Sequence, residues 1–156
     1  MWPAVFEIER ERLTRIFGVD AVVIEHIGST AVPDLGGKPI IDVMLGAPVL
    51  SVVERQIDAL TADGYRYVPE LERSNPERRY FVKPDGHPGH FHLHAVVYDS
   101  PFWRRHIAFR DALRAAPALA ADYWKLKQRL AARFPNDRGA YTDAKSEFIR
   151  SVIEAR

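Results

Sequence analysis

The sequence predicts an α+β domain in which a small mixed β-sheet carries a helix at its N-terminal end and a helical layer at its C-terminal end. Three observations carry this. Helical periodicity opens the chain, β-branched and alternating runs fill its middle, and from Pro101 the composition turns to Ala, Leu, Arg and aromatics. With 156 residues, 47% of them hydrophobic, the chain suits a single domain over 1–156 with a core able to fold alone.

Each element has its own warrant. Phe6, Leu13, Ile16 and Phe17 recur at helical spacing among Glu and Arg, and Gly18 stops the pattern, so a helix is expected over 5–17. The run 21–27 is β-branched, broken by Glu25 and His26, and ends at Gly28: a strand entering a turn. Two Pro and two Gly make 29–39 a loop with room for one short helical turn. The apolar run 40–45 reads as a buried strand carrying one charge, Asp42, and a buried charge needs a partner or a task. Val49, Val52, Val53, Ile57 and Leu60 predict a second helix over 49–62, closed by Asp63-Gly64. Segments 65–68, 79–83 and 90–98 are strand-like and suggest an antiparallel continuation of the sheet, and helices are expected over 102–114, 118–133 and 141–154.

Composition narrows the function. Twenty-two basic and 21 acidic residues leave a formal charge of +1, which argues against a nucleic-acid or membrane surface, so any phosphate binding must be local. The absence of cysteine excludes disulfides, zinc-thiolate sites and thiol nucleophiles. The opening MWPAVFEIERERL places charges where a signal peptide would be apolar, and no run reaches the length of a membrane span. The expectation is a soluble cytoplasmic protein.

The stretch HIGSTAVPDLGGKPIIDVM, residues 26–44, concentrates the chemistry. A Gly-Ser pair after a strand lets backbone N–H groups approach a phosphate, with Ser29 adding a hydroxyl and Lys38 a positive charge, although such turns also occur with no ligand. Asp42 and Met44 share one face of the following strand. Two carboxylates at those positions would hold two divalent ions for in-line displacement, but the Met44 thioether is a poor ligand for magnesium and a common core filler.

The run IEHIGSTAVPDLGGKPIIDVM, with HFHLHAVVYDSPFWRRHIAFRDALRA and AYTDAKSEFI, resembles the GrpB family of small bacterial proteins over nearly the whole chain. That family is grouped with the nucleotidyltransferase superfamily of DNA polymerase beta, and members look like a C-terminal extension of some dephospho-coenzyme A kinases. The resemblance implies a nucleotidyltransferase-like fold, with Gly28, Ser29 and Thr30 at the phosphate turn and Asp42 as metal ligand and catalytic carboxylate. Met44 departs from the superfamily's Asp-x-Asp/Glu pattern.

The superfamily's third carboxylate usually sits on a neighbouring strand, which points to HPGHFHLH, with His87, His90, His92 and His94. The last three share one strand face, opposite Phe91, Leu93 and Ala95. His92 and His94 are therefore expected beside Asp42, as metal ligands or, for His94, as a catalytic base. An Asp-plus-imidazole set favours zinc or manganese over magnesium. The alternative is that these imidazoles hydrogen-bond within the sheet or meet solvent. Arg79, Arg105 and Lys145 are further candidates for gripping a phosphate. Tyr141 sits one turn before Lys145, and could stack on a base or pack with Phe148 and Ile149 while Lys145 extends from the rim. YWKLKQRLAARF reads as an amphipathic helix with a charged outer face. The functional expectation is a nucleotidyltransferase-like protein using a divalent ion (Mg, Mn or Zn) on a nucleotide or other phosphorylated small molecule. The alternative is a binding module without catalysis.

Overall fold

A computed structural model describes residues 2–20, 22–36, 39–84 and 90–155. The chain runs α1 (Trp2–Phe17), β1 (Val23–Ile27), a 3-10 turn (Ser29–Ala31), β2 (Ile40–Ala47), α2 (Leu50–Glu54), α3 (Ile57–Ala62) and β3 (Arg66–Tyr67). A second 3-10 turn (Pro69–Arg73) leads to β4 (Arg79–Lys83), β5 (His90–Val97), α4 (Pro101–Ala115), α5 (Pro117–Arg133) and α6 (Arg138–Glu154). The five strands form one sheet in the order β1-β2-β5-β4-β3. Only β2 and β5 pair in parallel; the other three pairings are antiparallel. The α+β class and mixed sheet are as expected.

Three departures concern local structure. The helix expected over 49–62 is two short helices, because Gln56 leaves the helical region (φ −103°, ψ 7°) although neither Gly nor Pro marks the spot. The strand expected over 65–68 shrinks to two residues before Pro69 starts the 3-10 turn. The C-terminal helices begin earlier than their apolar periodicity suggests, since Pro occupies the first turn of α4 and α5 while Ser100 and Asp137 cap α4 and α6.

Strand alternation divides the sheet into two unlike faces. Ile41, Val43, Leu45, Phe81, Phe91 and Leu93 point to one side, where Phe6, Leu13, Val53 and Leu60 from the first three helices cover them. At wholly buried apolar area this face is the main hydrophobic store, at about 25 cal/mol per Å². The opposite face carries Asp42, Met44, His92 and His94, with α4 lying across its far end. There Met44 and Val96 pack under Phe102 and Trp103. Gly46 belongs to this contact: a Cβ on it would stand 2.8 Å from the Trp103 ring. Helix α4 thus closes the positions of Met44 and Gly46 and leaves Asp42 at the open end.

Candidate functional site

Asp42 faces a turn shaped to receive it. Gly28, at φ 78° and ψ −175°, adopts a backbone that L side chains rarely take, and a Cβ there would lie 2.5 Å from Asp42 Oδ2. The glycine therefore serves close approach of backbone to carboxylate as well as the turn. Thr30 is committed to this structure: its Oγ1 lies 2.8 Å from His26 Nε2 and donates to the Ile40 carbonyl at 3.4 Å. His26 is 5% exposed and stacked on Phe6, and burial lowers its pKa to about 4, so it stands neutral at the turn's base.

The parallel pairing of β2 with β5 sets Asp42 against His92 and Met44 against His94. Arg78 Nη1 lies 3.2 Å from His94 Nδ1. A guanidinium can only donate, so Nδ1 accepts, the ring proton sits on Nε2, and Nε2–H donates to Asp42 Oδ1 at 3.0 Å. Arg78, His94 and Asp42 form a directed chain. Burial pushes the Asp42 carboxyl up, but the His94 hydrogen bond and the charges around it, Lys145 among them, outweigh this and hold it below its ordinary value. Arg78 also lies over the Tyr80 ring at 4.7 Å, and burial lowers its own pKa.

A cleft of about 510 Å³ opens above Asp42 and Ser29, walled by His92, Trp124, Lys127 and Tyr141. A smaller chamber of about 190 Å³ shares Ser29 and Asp42 and is lined further by His94, His106, Tyr123 and Lys145. Burial lowers the pKa of both Lys127 and Lys145, each felt by Asp42, and among the described residues neither makes an ion pair.

The expected site residues separate into three groups. Gly28, Ser29, Asp42, His92, His94 and Lys145 are brought together. Lys38 and His87 lie outside the described residues. Arg79 and Arg105 are not brought to the site. Arg79 pairs in register with Ala95 on the opposite face, where Glu72 and Glu54 hold it, and Arg105 is exposed on α4. Arg78, one residue earlier, reaches the site through its contact with His94. Lys145 lines the inner chamber where a rim position was one expectation, and Tyr141 lines the cleft. Lys125, Arg129 and Arg133 form the exposed charged face expected of α5, while Trp124, Lys127, Gln128 and Ala131 on another face wall the cleft. Their i, i+3, i+4, i+7 spacing was the available signal.

The three expected ligands are neighbours, with Asp42 Oδ1 3.0 Å from His94 Nε2 and 3.8 Å from His92 Nδ1, and both ring nitrogens of His94 are hydrogen-bonded. The residues do not fit a two-ion carboxylate centre, since Met44 is wholly buried beneath α4. Among the described residues, no group of three or more His, Cys, Asp or Glu side chains is arranged to hold a metal ion. No helix among them is long and apolar enough to cross a membrane.

Comparison with known proteins places the chain in a family. The chain is 37% identical over 153 residues to the UPF0157 protein YqkA of Bacillus subtilis, covering 98% of this chain and 44% of that relative. It is 29% identical over 176 residues to a dephospho-CoA kinase of Mycolicibacterium paratuberculosis, covering 97% of this chain and 42% of that protein. The crystal structure of the conserved protein GrpB from Enterococcus faecalis superposes with a TM-score of 0.82 at 32% identity, covering 99% of this chain and 93% of that one. Cid1 in complex with its short product ApU matches with a TM-score of 0.54 at 15% identity over 84% of this chain and 40% of Cid1, a likeness of nucleotidyltransferase fold. The family model described as GrpB protein matches residues 1–155, and the chain belongs to the GrpB family.

Proposed function

We infer that the cleft binds a nucleotide or a related phosphorylated small molecule. The observation that carries this is the pair Lys127 and Lys145, cations partly withdrawn from water beside the Gly28-Ser29 turn with no ion-pair partner among the described residues. Such charges favour an anion, and one phosphate group offers oxygens to both and to the Ser29 hydroxyl. Trp124 and Tyr141 give the same cleft flat apolar surface for a base, and its volume suits a mononucleotide. Likeness to Cid1 in fold, and to part of a dephospho-CoA kinase in sequence, supports an adenine- or uracil-containing ligand.

Calorimetric titration with nucleoside mono-, di- and triphosphates, and with dephospho-coenzyme A, tests this reading. Binding should weaken about tenfold in Lys145→Met or Lys127→Met, the loss of one charge-assisted hydrogen bond. Millimolar or weaker binding of every compound, or wild-type affinity in both variants, would overturn it.

A second reading, transfer of a nucleotidyl or phosphoryl group, is favoured by Asp42, a carboxylate 26% exposed to the cleft and held in its ionised form. Asp42 would orient or deprotonate the acceptor, with His94 as its positioning partner. Pyrophosphate or phosphate release that depends on an added acceptor and disappears in Asp42→Asn is the expected result.

A further inference from the structure

The histidine strand holds a second arrangement beside the Asp42 chain, whose carboxylate oxygen lies 3.8 Å from His92 Nδ1. His90 and His92 alternate onto the same face of β5, and their Nε2 atoms approach to 3.2 Å with the rings inclined at 66°. On its other nitrogen, His92 Nδ1 lies 2.7 Å from the Tyr80 hydroxyl. Tyr80 reaches this position because β4 sets it opposite His94, on the face that also carries His92. The 3.2 Å separation suits either of two bridging species. A single proton can lie between two imidazole nitrogens, and so can one metal ion: at Zn–N bonds of about 2.0–2.1 Å and a tetrahedral angle, two ligand nitrogens stand about 3.3 Å apart.

We propose that His90 and His92 form a two-imidazole site for a zinc-class transition ion, with Tyr80 as the outer partner that orients His92. When the ion takes Nε2, the His92 proton resides on Nδ1 and donates to the Tyr80 oxygen, the outer hydrogen bond that fixes ligand tautomer in histidine metal sites. Two nitrogen donors select zinc, nickel, cobalt or copper over magnesium and calcium. His92 lines the main cleft, which sets the site beside the space assigned to the phosphorylated ligand. The site differs from a carboxylate centre in ligand, position and metal. Only the identity of the group filling the open positions rests on the nucleotide reading.

Zinc titration of the metal-stripped full chain, without nucleotide, tests the proposal by competition with a chromophoric indicator and by NMR of the imidazole nitrogens. Wild-type protein should bind one zinc ion in the micromolar range, with the Nε2 resonances of His90 and His92 moving together. His90→Gln and His92→Gln should each abolish this, and Tyr80→Phe should weaken it by about tenfold. Asp42→Asn removes a charge 3.8 Å from His92 Nδ1 and should weaken binding without abolishing it, while His94→Gln should leave it unchanged. The proposal is overturned if zinc does not bind below millimolar concentration, if the Nε2 resonances stay still, or if loss of Asp42 or His94 abolishes binding while loss of His90 does not. Because nucleotide is absent, failure here leaves the nucleotide reading standing, and a failed nucleotide titration leaves the metal site standing.

Discussion

The two faces of the sheet each carry a network of carboxylates and cations, and they differ in access. Under α1, Lys83 Nζ binds Glu9 Oε1 at 2.6 Å and Asp63 Oδ2 at 2.8 Å, with both Lys83 and Glu9 wholly buried. Tyr65 donates to Glu9 and Arg12 to Asp63, so the network ties α1, the end of α3 and β4 together. On the other face Asp42 is partly open, and Lys127 and Lys145 near it have no ion pair among the described residues. Similar ingredients thus serve different ends. Where water is shut out, charges are matched within the protein and hold elements in place; where a cleft reaches them, the lysines make no ion pair among the described residues, which is the feature the proposed ligand reading uses.

The contrast is broken most directly at Lys83. Lys83→Met should destabilise the fold by about 3–5 kcal/mol, the cost of an uncompensated buried carboxylate, while the folded fraction keeps its affinity for ligand. Denaturant unfolding with parallel calorimetry measures both, and a loss no larger than that of a surface ion pair would erase the distinction. His26 comes next, because the open site stands on a closed base. Its folded pKa of about 4 lies below the unfolded 6.5. As pH falls through 6.5 the unfolded chain takes the proton first, so stability should decline between about pH 6.5 and 4 by at most about 3 kcal/mol. His26→Gln should flatten that decline in pH-dependent melting curves.

Gly28→Ala should cost about 1–3 kcal/mol through its positive φ, and should weaken ligand binding further by displacing the Asp42 carboxylate. Equal effects on melting and affinity would mean that the turn is only a turn. The smallest effect on stability is expected at Asp42 itself. Asp42→Asn retains an oxygen for His94 and should change unfolding free energy by about 1 kcal/mol or less. A large destabilisation there would assign this network to the structural class.

Much of this was legible where a short-range pattern was sufficient. Alternation in HFHLH placed three imidazoles on one face, and the apolar run around Asp42 marked a buried strand. Met44 read as a core filler and is one. What the pattern could not supply was register between distant segments. Arg78 and Tyr80 share parity with His94, and Arg79 does not, but that choice needs the β4–β5 pairing. Lys83 ends a strand-like segment with nothing local to mark it as buried, because its partners lie 74 and 20 residues away. The inward face of α5 was hidden for a related reason: Trp124 and Lys127 show helical spacing, but only the packing of α5 tells which side meets the cleft.

The contact of α4 with Met44 and Gly46 sets a limit on what point substitution can add to this scaffold. Met44→Asp would spell the missing carboxylate, but would seat it under Phe102 and Trp103, across the strand from Glu25. That burial would cost several kcal/mol, or force the acid to take up a proton and lose the charge for which it was introduced. The helix would have to withdraw as well. A one-letter route to a two-carboxylate centre is therefore closed by neighbours, and any such conversion must begin in α4.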